Sequence, residues 1–144
     1  MKKQFLTLAG LLFISIVTFA QNGMTKLEQL PATAQEFIKT YFNDYKVSYV
    51  FSDKEFVDVD YKVRFEDGTE IEFNAKGDWT DVSSKNNCIP TGFILKEITD
   101  FVDANHKGMC ITDIEREFNR INIELNDSLE IEFNSKGKLI SYDD

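Results

Sequence analysis

The stretch Glu70-Ile71-Glu72-Phe73-Asn74-Ala75-Lys76-Gly77-Asp78-Trp79 decides the fold, because it returns sixty positions later as Glu130-Ile131-Glu132-Phe133-Asn134-Ser135-Lys136-Gly137-Lys138-Leu139. The first eight positions differ only by the exchange of Ala75 for Ser135. Glu-Ile-Glu-Phe alternates polar and apolar, the period of a strand with one buried face. Asn-x-Lys-Gly is turn chemistry, with a glycine able to take positive φ. Strand, turn and strand make a hairpin, and its return points to a chain built by duplication.

Working back towards the N-terminus, Val57, Val59, Tyr61, Val63 and Phe65 alternate with Asp58, Asp60, Lys62 and Arg64. Asp67-Gly68 then marks a second hairpin. Phe65 and Ile71 must share the buried face, which sets Phe65 opposite Ile71, Val63 opposite Phe73 and Arg64 opposite Glu72. A bulged turn over Asn74–Gly77 brings Trp79 opposite Phe73. Earlier still, Ala34, Phe37, Ile38, Tyr41 and Phe42 form the apolar stripe of a helix opened by Pro31. Val47–Phe51 reads as a strand that turns at Ser52-Asp53-Lys54.

Ser83–Asn87 is a polar linker, and Pro90-Thr91 restarts the pattern 59 positions after Pro31. Thr91 can cap a helix with Ile94, Ile98, Phe101 and Val102 on its apolar face. A strand over Met109–Phe118 follows. Antiparallel trios are expected at 57–65, 69–74 and 78–82, and at 119–126, 129–134 and 138–142. The fold class is α+β. Two tandem units of one helix and four strands put both helices on one face of a single curved antiparallel sheet of about eight strands, in two layers. Phe37, Phe65, Phe73, Trp79, Phe101, Leu125 and Phe133 are the expected core.

Residues 1–20 read as a secretory signal peptide: Met1-Lys2-Lys3, an apolar run from Phe5 to Phe19, and Thr18 and Ala20 as small exit residues. Domain boundaries follow: a leader and first unit over 21–83, and a second unit over 84–144. Loss of Lys2 and Lys3 leaves 25 acids against 14 bases and moves the net charge from −9 to −11. Such an acidic chain is unsuited to nucleic acid and to anionic membrane. The location expected is periplasmic or secreted. Cys88 and Cys110 lie in the exported part, where a disulfide is allowed. They flank the second helix, and about 20 Å of helix between them favours free, part-buried thiols over a bridge.

Leu30-Pro31 before a helix, the alternating strand, the Asp67-Gly68 hairpin and Phe73-Asn74-x-x-Gly77-x-Trp79, followed by Ile89-Pro90 and Phe133-Asn134-x-x-Gly137, resemble the PepSY-like family of small exported bacterial proteins. That family is similar in fold to the β-lactamase-inhibitor protein, and the resemblance covers about residues 27–142. It implies helices on one face of a curved antiparallel sheet, a periplasmic or secreted location, and no catalytic residues to carry over.

No catalytic constellation can be assembled. His106 is the single histidine and reads as a helix C-terminal cap. There is no Cys-x-x-Cys, nucleophile elbow or phosphate loop, so neither metal nor cofactor is expected. The polar sheet face offers a candidate instead. Arg64 balances Glu72 in the first unit, whereas the matching positions of the second are Glu124 and Glu132, with Glu130 on the same side. Like charges across strands cost some tenths of a kcal/mol. Ca²⁺ wants six to eight oxygens in defined geometry, which a regular strand rarely supplies, so a basic protein segment is the better match. Trp79 reads as core. Phe51 and Phe56, where the two units diverge, are candidate exposed aromatics. The chain reads as a non-catalytic binding or inhibitor-like module of the cell envelope, using the sheet face and hairpin loops. The alternative is an assembly protein that dimerises through the sheet face or edge strands.

Overall fold

The computed structural model describes residues 23–55 and 58–143. The signal-peptide reading, and Phe56 with it, lie outside the described residues. The elements are β1 (Gly23–Thr25), a 3₁₀ turn (Leu27–Gln29), α1 (Ala32–Tyr41), β2 (Val47–Glu55), β3 (Asp58–Phe65), β4 (Glu70–Phe73), β5 (Trp79–Ser83), α2 (Lys96–Asn105), β6 (Ile111–Arg116), β7 (Arg120–Leu125), β8 (Glu130–Asn134) and β9 (Leu139–Asp143). The described strands form one nine-stranded antiparallel sheet whose spatial order is the chain order. The ninth strand is β1, which pairs Met24 with Phe51 in a stretch with no strand signal of its own. β2 also runs straight through the turn expected at Ser52–Lys54. β3, at eight residues, supplies the long ladder it needs.

One face of the sheet carries both helices. Ala34, Ile38, Ile98 and Val102 pack with Val63, Phe65, Ile71, Phe73, Ile123, Leu125, Ile131 and Phe133 in one buried cluster. Phe37 meets Phe73 edge-on at 5.8 Å, and Phe101 meets Phe133 at 5.3 Å. Phe37, Trp79 and Phe101 are only partly buried, unlike Phe65, Phe73, Leu125 and Phe133. They form the rim where helix meets sheet. Trp79 is covered from outside by the Arg116 guanidinium, 4.4 Å from the ring centroid, a cation–π contact.

The recurring Asn-x-Lys-Gly turn has a packing role. The Asn74 side-chain oxygen accepts the N–H groups of Lys76 and Asp78 at 2.9 and 3.1 Å, and Asn134 does the same for Lys136 and Lys138 at 2.9 and 3.0 Å. Gly77 and Gly137 take φ of 85° and 77°. A Cβ on Gly77 would lie 2.8 Å from the Pro31 Cβ, and one on Gly137 would lie 2.8 Å from the Glu97 Cβ. Each turn is thus pressed onto the start of a helix. Gly77→Ala is expected to destabilise by about 1–3 kcal/mol through backbone strain alone, with the collision adding to it. A thermal melt matching wild type would show that the turn does not seat the helix.

The same contacts correct the spacing of the helices. Gly77 touches Ala34 and Gly137 touches Ile98, so α2 follows α1 by 64 positions. The match to Leu30-Pro31 is Ile94-Leu95, not Ile89-Pro90. Thr91 does not cap α2. Its carbonyl accepts Ile94 N–H at 3.0 Å, and Leu95 stands at the helix N-cap. The turn delivers Phe93 against α1 and β5, 5.0 Å from Phe37 and 5.2 Å from Trp79. Burying that ring outweighs one capping bond.

The cysteines are joined. Cys88 and Cys110 form a disulfide with Cα atoms 5.7 Å apart, against the expectation of free thiols. The linker does not lead straight into α2. Ser84 N–H donates to Thr112 O at 2.8 Å and Ile89 N–H to Ile111 O at 2.9 Å, so residues 84–89 run beside β6 and bring Cys88 to Cys110.

Candidate functional site

The face opposite the helices is lined by side chains that alternate with the core. Its register differs from expectation by two positions. Arg64 pairs with Glu70, Lys62 with Glu72, Val63 with Ile71 and Tyr61 with Phe73. The reason lies in the turn. Phe65 N–H donates to Thr69 O at 2.8 Å, and Asp67 accepts both the backbone N–H and the hydroxyl of Thr69 at 2.9 and 3.0 Å. Thr69 is thereby drawn into the ladder, and the loop shrinks to three residues. The hairpin between β7 and β8 closes the same way, Leu125 N–H to Leu129 O at 3.0 Å, so Glu124 faces Glu130 rather than Glu132. Phe73 does face Trp79 across the expected bulge.

The charge contrast between the two hairpins survives with new partners. On β3, Arg64 ion-pairs with Glu70, while Lys62 Nζ lies 2.7 Å from Glu72 and 3.7 Å from Glu70. On β7, Glu124 takes the place of Arg64 and Asn122 that of Lys62. Glu132 finds Arg120 Nη1 at 2.5 Å from its Oε1, and accepts the Ser141 hydroxyl on Oε2 at 2.9 Å. Among the described residues no cation pairs with Glu124 or Glu130.

Between the hairpins lie two aspartates that the sequence reading missed. Asp81 on β5 stands between Glu72 and Glu115, and Asp113 on β6 faces Glu124. Burial raises Asp81 from 3.8 to about 7, helped by the charges of Asp113 and Glu72 and opposed by a hydrogen bond with Ser83. Burial likewise raises Asp113 to about 6, with Glu124 and Glu115 adding to it. The centre of the sheet face is therefore an acidic strip over β4–β8, half-buried at Glu72, Asp81, Asp113 and Glu124 and exposed at Glu115 and Glu130. Bulges at Glu72/Phe73 and Ile111/Asp113 bring these side chains to the polar face. The signal was present in Asp81-Val82 and Asp113-Ile114, but only β5–β6 pairing unites them.

Glu124 and Glu130 lie together, with Glu132 one pleat along β8. Glu72 is four strands away from Glu132 in the sheet order, roughly 19 Å. Arg64 pairs within its own hairpin. Phe51 lies at the far side of the polar face between Met24 and Lys62, where with Tyr49 it lines a shallow depression of about 560 Å³. His106 caps α2 through its N–H to Val102 O at 2.8 Å, its ring 3.4 Å from the Tyr142 hydroxyl.

A family described as "Putative beta-lactamase-inhibitor-like, PepSY-like" matches residues 59–141. The chain belongs to the PepSY-like family. A solved Bacteroides thetaiotaomicron structure, described as a "putative calcium-regulated periplasmic protein", is 31% identical with a TM-score of 0.82, over 85% of this chain and 97% of its own. A Bacteroides vulgatus ATCC 8482 structure described as a "putative periplasmic protein from DUF2874 family" is 32% identical with a TM-score of 0.81, over 85% and 97%. Another structure from that organism, described as a "putative periplasmic protein of unknown function", is 32% identical with a TM-score of 0.79, over 86% and 100%. No curated protein matches. This PepSY-like chain shares the periplasmic location of those relatives. No described helix is long and apolar enough to cross a membrane.

Proposed function

We propose that this PepSY-like protein is a non-catalytic binding module of the cell envelope whose open sheet face takes a basic segment of a protein partner. The observation that carries the reading is the strip on which the carboxyl groups of Asp81, Asp113, Glu124 and Glu130 crowd one face, with no cation against Glu124 or Glu130 among the described residues. Lysine or arginine side chains would relieve that repulsion, and the acidic field would speed their arrival. One relative is described as calcium-regulated. In this chain the described residues hold no group of three or more His, Cys, Asp or Glu side chains arranged to hold a metal, which favours the basic segment over the ion.

Affinity capture from envelope extracts, with wild-type and Glu124→Arg proteins as baits, tests the reading. Glu124→Arg recreates the Arg64–Glu70 pair on the second hairpin. It is expected to hold or raise the melting temperature while weakening capture of the basic partner, with slower and less salt-sensitive association. A captured partner indifferent to Glu124→Arg and to Asp81→Asn would move the site to the hairpin loops. Titration with CaCl₂ alone serves as the competing arm.

The strip also carries a pH signature. Folding raises both aspartate pKa values, so the native state holds more protons than the unfolded one between about pH 4 and 7. Stability is then greatest at the acid end of that window and falls as pH rises through about 6 and 7. Urea unfolding across this window should show the decline, and Asp81→Asn should flatten its upper part. A stability rising between pH 5 and 7 would mean that the aspartates are ionised in the fold.

A further inference from the structure

We propose that β9 joins β9 of a second copy in an antiparallel, two-fold pairing that makes one continuous sheet from two molecules. β9 is the last strand in the sheet order, so among the described residues one side of its backbone has no strand partner. An unpaired ladder edge is a template for another strand. Its apolar side chains are partly exposed: Leu139, Ile140 and Tyr142 are 36, 49 and 44% exposed, with Tyr142 resting on Phe101 and His106 on its inner side.

The register of β9 against β8 determines which copy-to-copy pairing fits. Phe133 faces Leu139 and Glu132 faces Ser141, so Ile140 is the extra residue of a bulge. Leu139, Ile140 and Tyr142 then lean to the helix side, and Ser141 and Asp143 to the polar side. With Ser141 on the two-fold axis, Tyr142 of one copy meets Leu139 and Ile140 of the other. The bulge lets those two residues oppose one. The next position sets Lys138 opposite Asp143. Each contact occurs twice, as an isologous interface requires. The residue before the strand, Lys138, is basic and its last residue, Asp143, is acidic, so antiparallel pairing matches charge. Parallel pairing would set Lys138 beside Lys138. The other edge, β1, is three residues long, and a β1–β9 contact would propagate as an open filament.

Sedimentation of protein recovered from the periplasm, over about a hundredfold range of concentration, reads the association directly. Wild type is expected to pass from monomer to dimer. Ile140→Lys is expected to remain monomeric, and Lys138→Glu to weaken the dimer about tenfold or more. The exchange Lys138→Glu with Asp143→Lys restores opposite charge across the axis and should restore the dimer. Lys138 and Asp143 are exposed, so these variants keep the test valid even if Ile140→Lys fails to fold. A wild type that stays monomeric, a dimer that persists in both single variants, or a double exchange no stronger than Lys138→Glu overturns the proposal.

Discussion

Phe133→Ala lowers the stability of the fold by about 3–5 kcal/mol. Phe133 is fully buried, packs edge-on against Phe101 at 5.3 Å, and faces Ile121 on β7 and Leu139 on β9. Its removal leaves a void under α2 that neighbouring backbone cannot fill, because β8 is pinned on both sides. A single domain of this size has about 5–15 kcal/mol in total, so the loss is a large share. Phe73→Ala, under α1, should cost a similar amount, since Phe37 meets it in the same edge-on manner at 5.8 Å. Urea unfolding measures both. A change under about 1 kcal/mol in either would mean that helix and sheet do not share the core described here.

Much of this architecture is legible in the sequence because alternation survives wherever one face is buried. Glu70–Phe73 and Glu130–Phe133 show their inward and outward sides directly, and the structure places Ile71, Phe73, Ile131 and Phe133 inside. Pairing register is less legible. Alternation allows any shift of two, and the choice fell to the Asp67–Thr69 hydrogen bonds, which tightened the turn. The short edge strand β1 was invisible because three residues cannot display a period. The candidate site was half legible. The unbalanced Glu124 could be found by comparing the two hairpins, although its partner is Glu130. Asp81 and Asp113 could not, because they meet only through β5–β6 pairing, across a segment containing all of α2.

That same segment carries the second large effect. Replacing Cys88 and Cys110 together by Ser is expected to lower stability by about 3 kcal/mol, the loop-closure value for a separation of this order; here it is 22 residues. The bridge ties the linker to the start of β6, and α2 lies wholly within the closed loop. Without it, the attachment of residues 84–89 rests on backbone bonds such as Ser84 N–H to Thr112 O and Ile89 N–H to Ile111 O. Those amides should lose hydrogen-exchange protection first, while Ile71 and Phe73, held between β3 and β5, keep theirs. The acidic strip should suffer in parallel, because Asp113 sits two positions beyond Ile111 on the strand that the bridge anchors. A double variant as stable as wild type, with unchanged exchange at Ile89, would mean that β5–β6 pairing alone positions the linker and that the disulfide adds nothing to the fold.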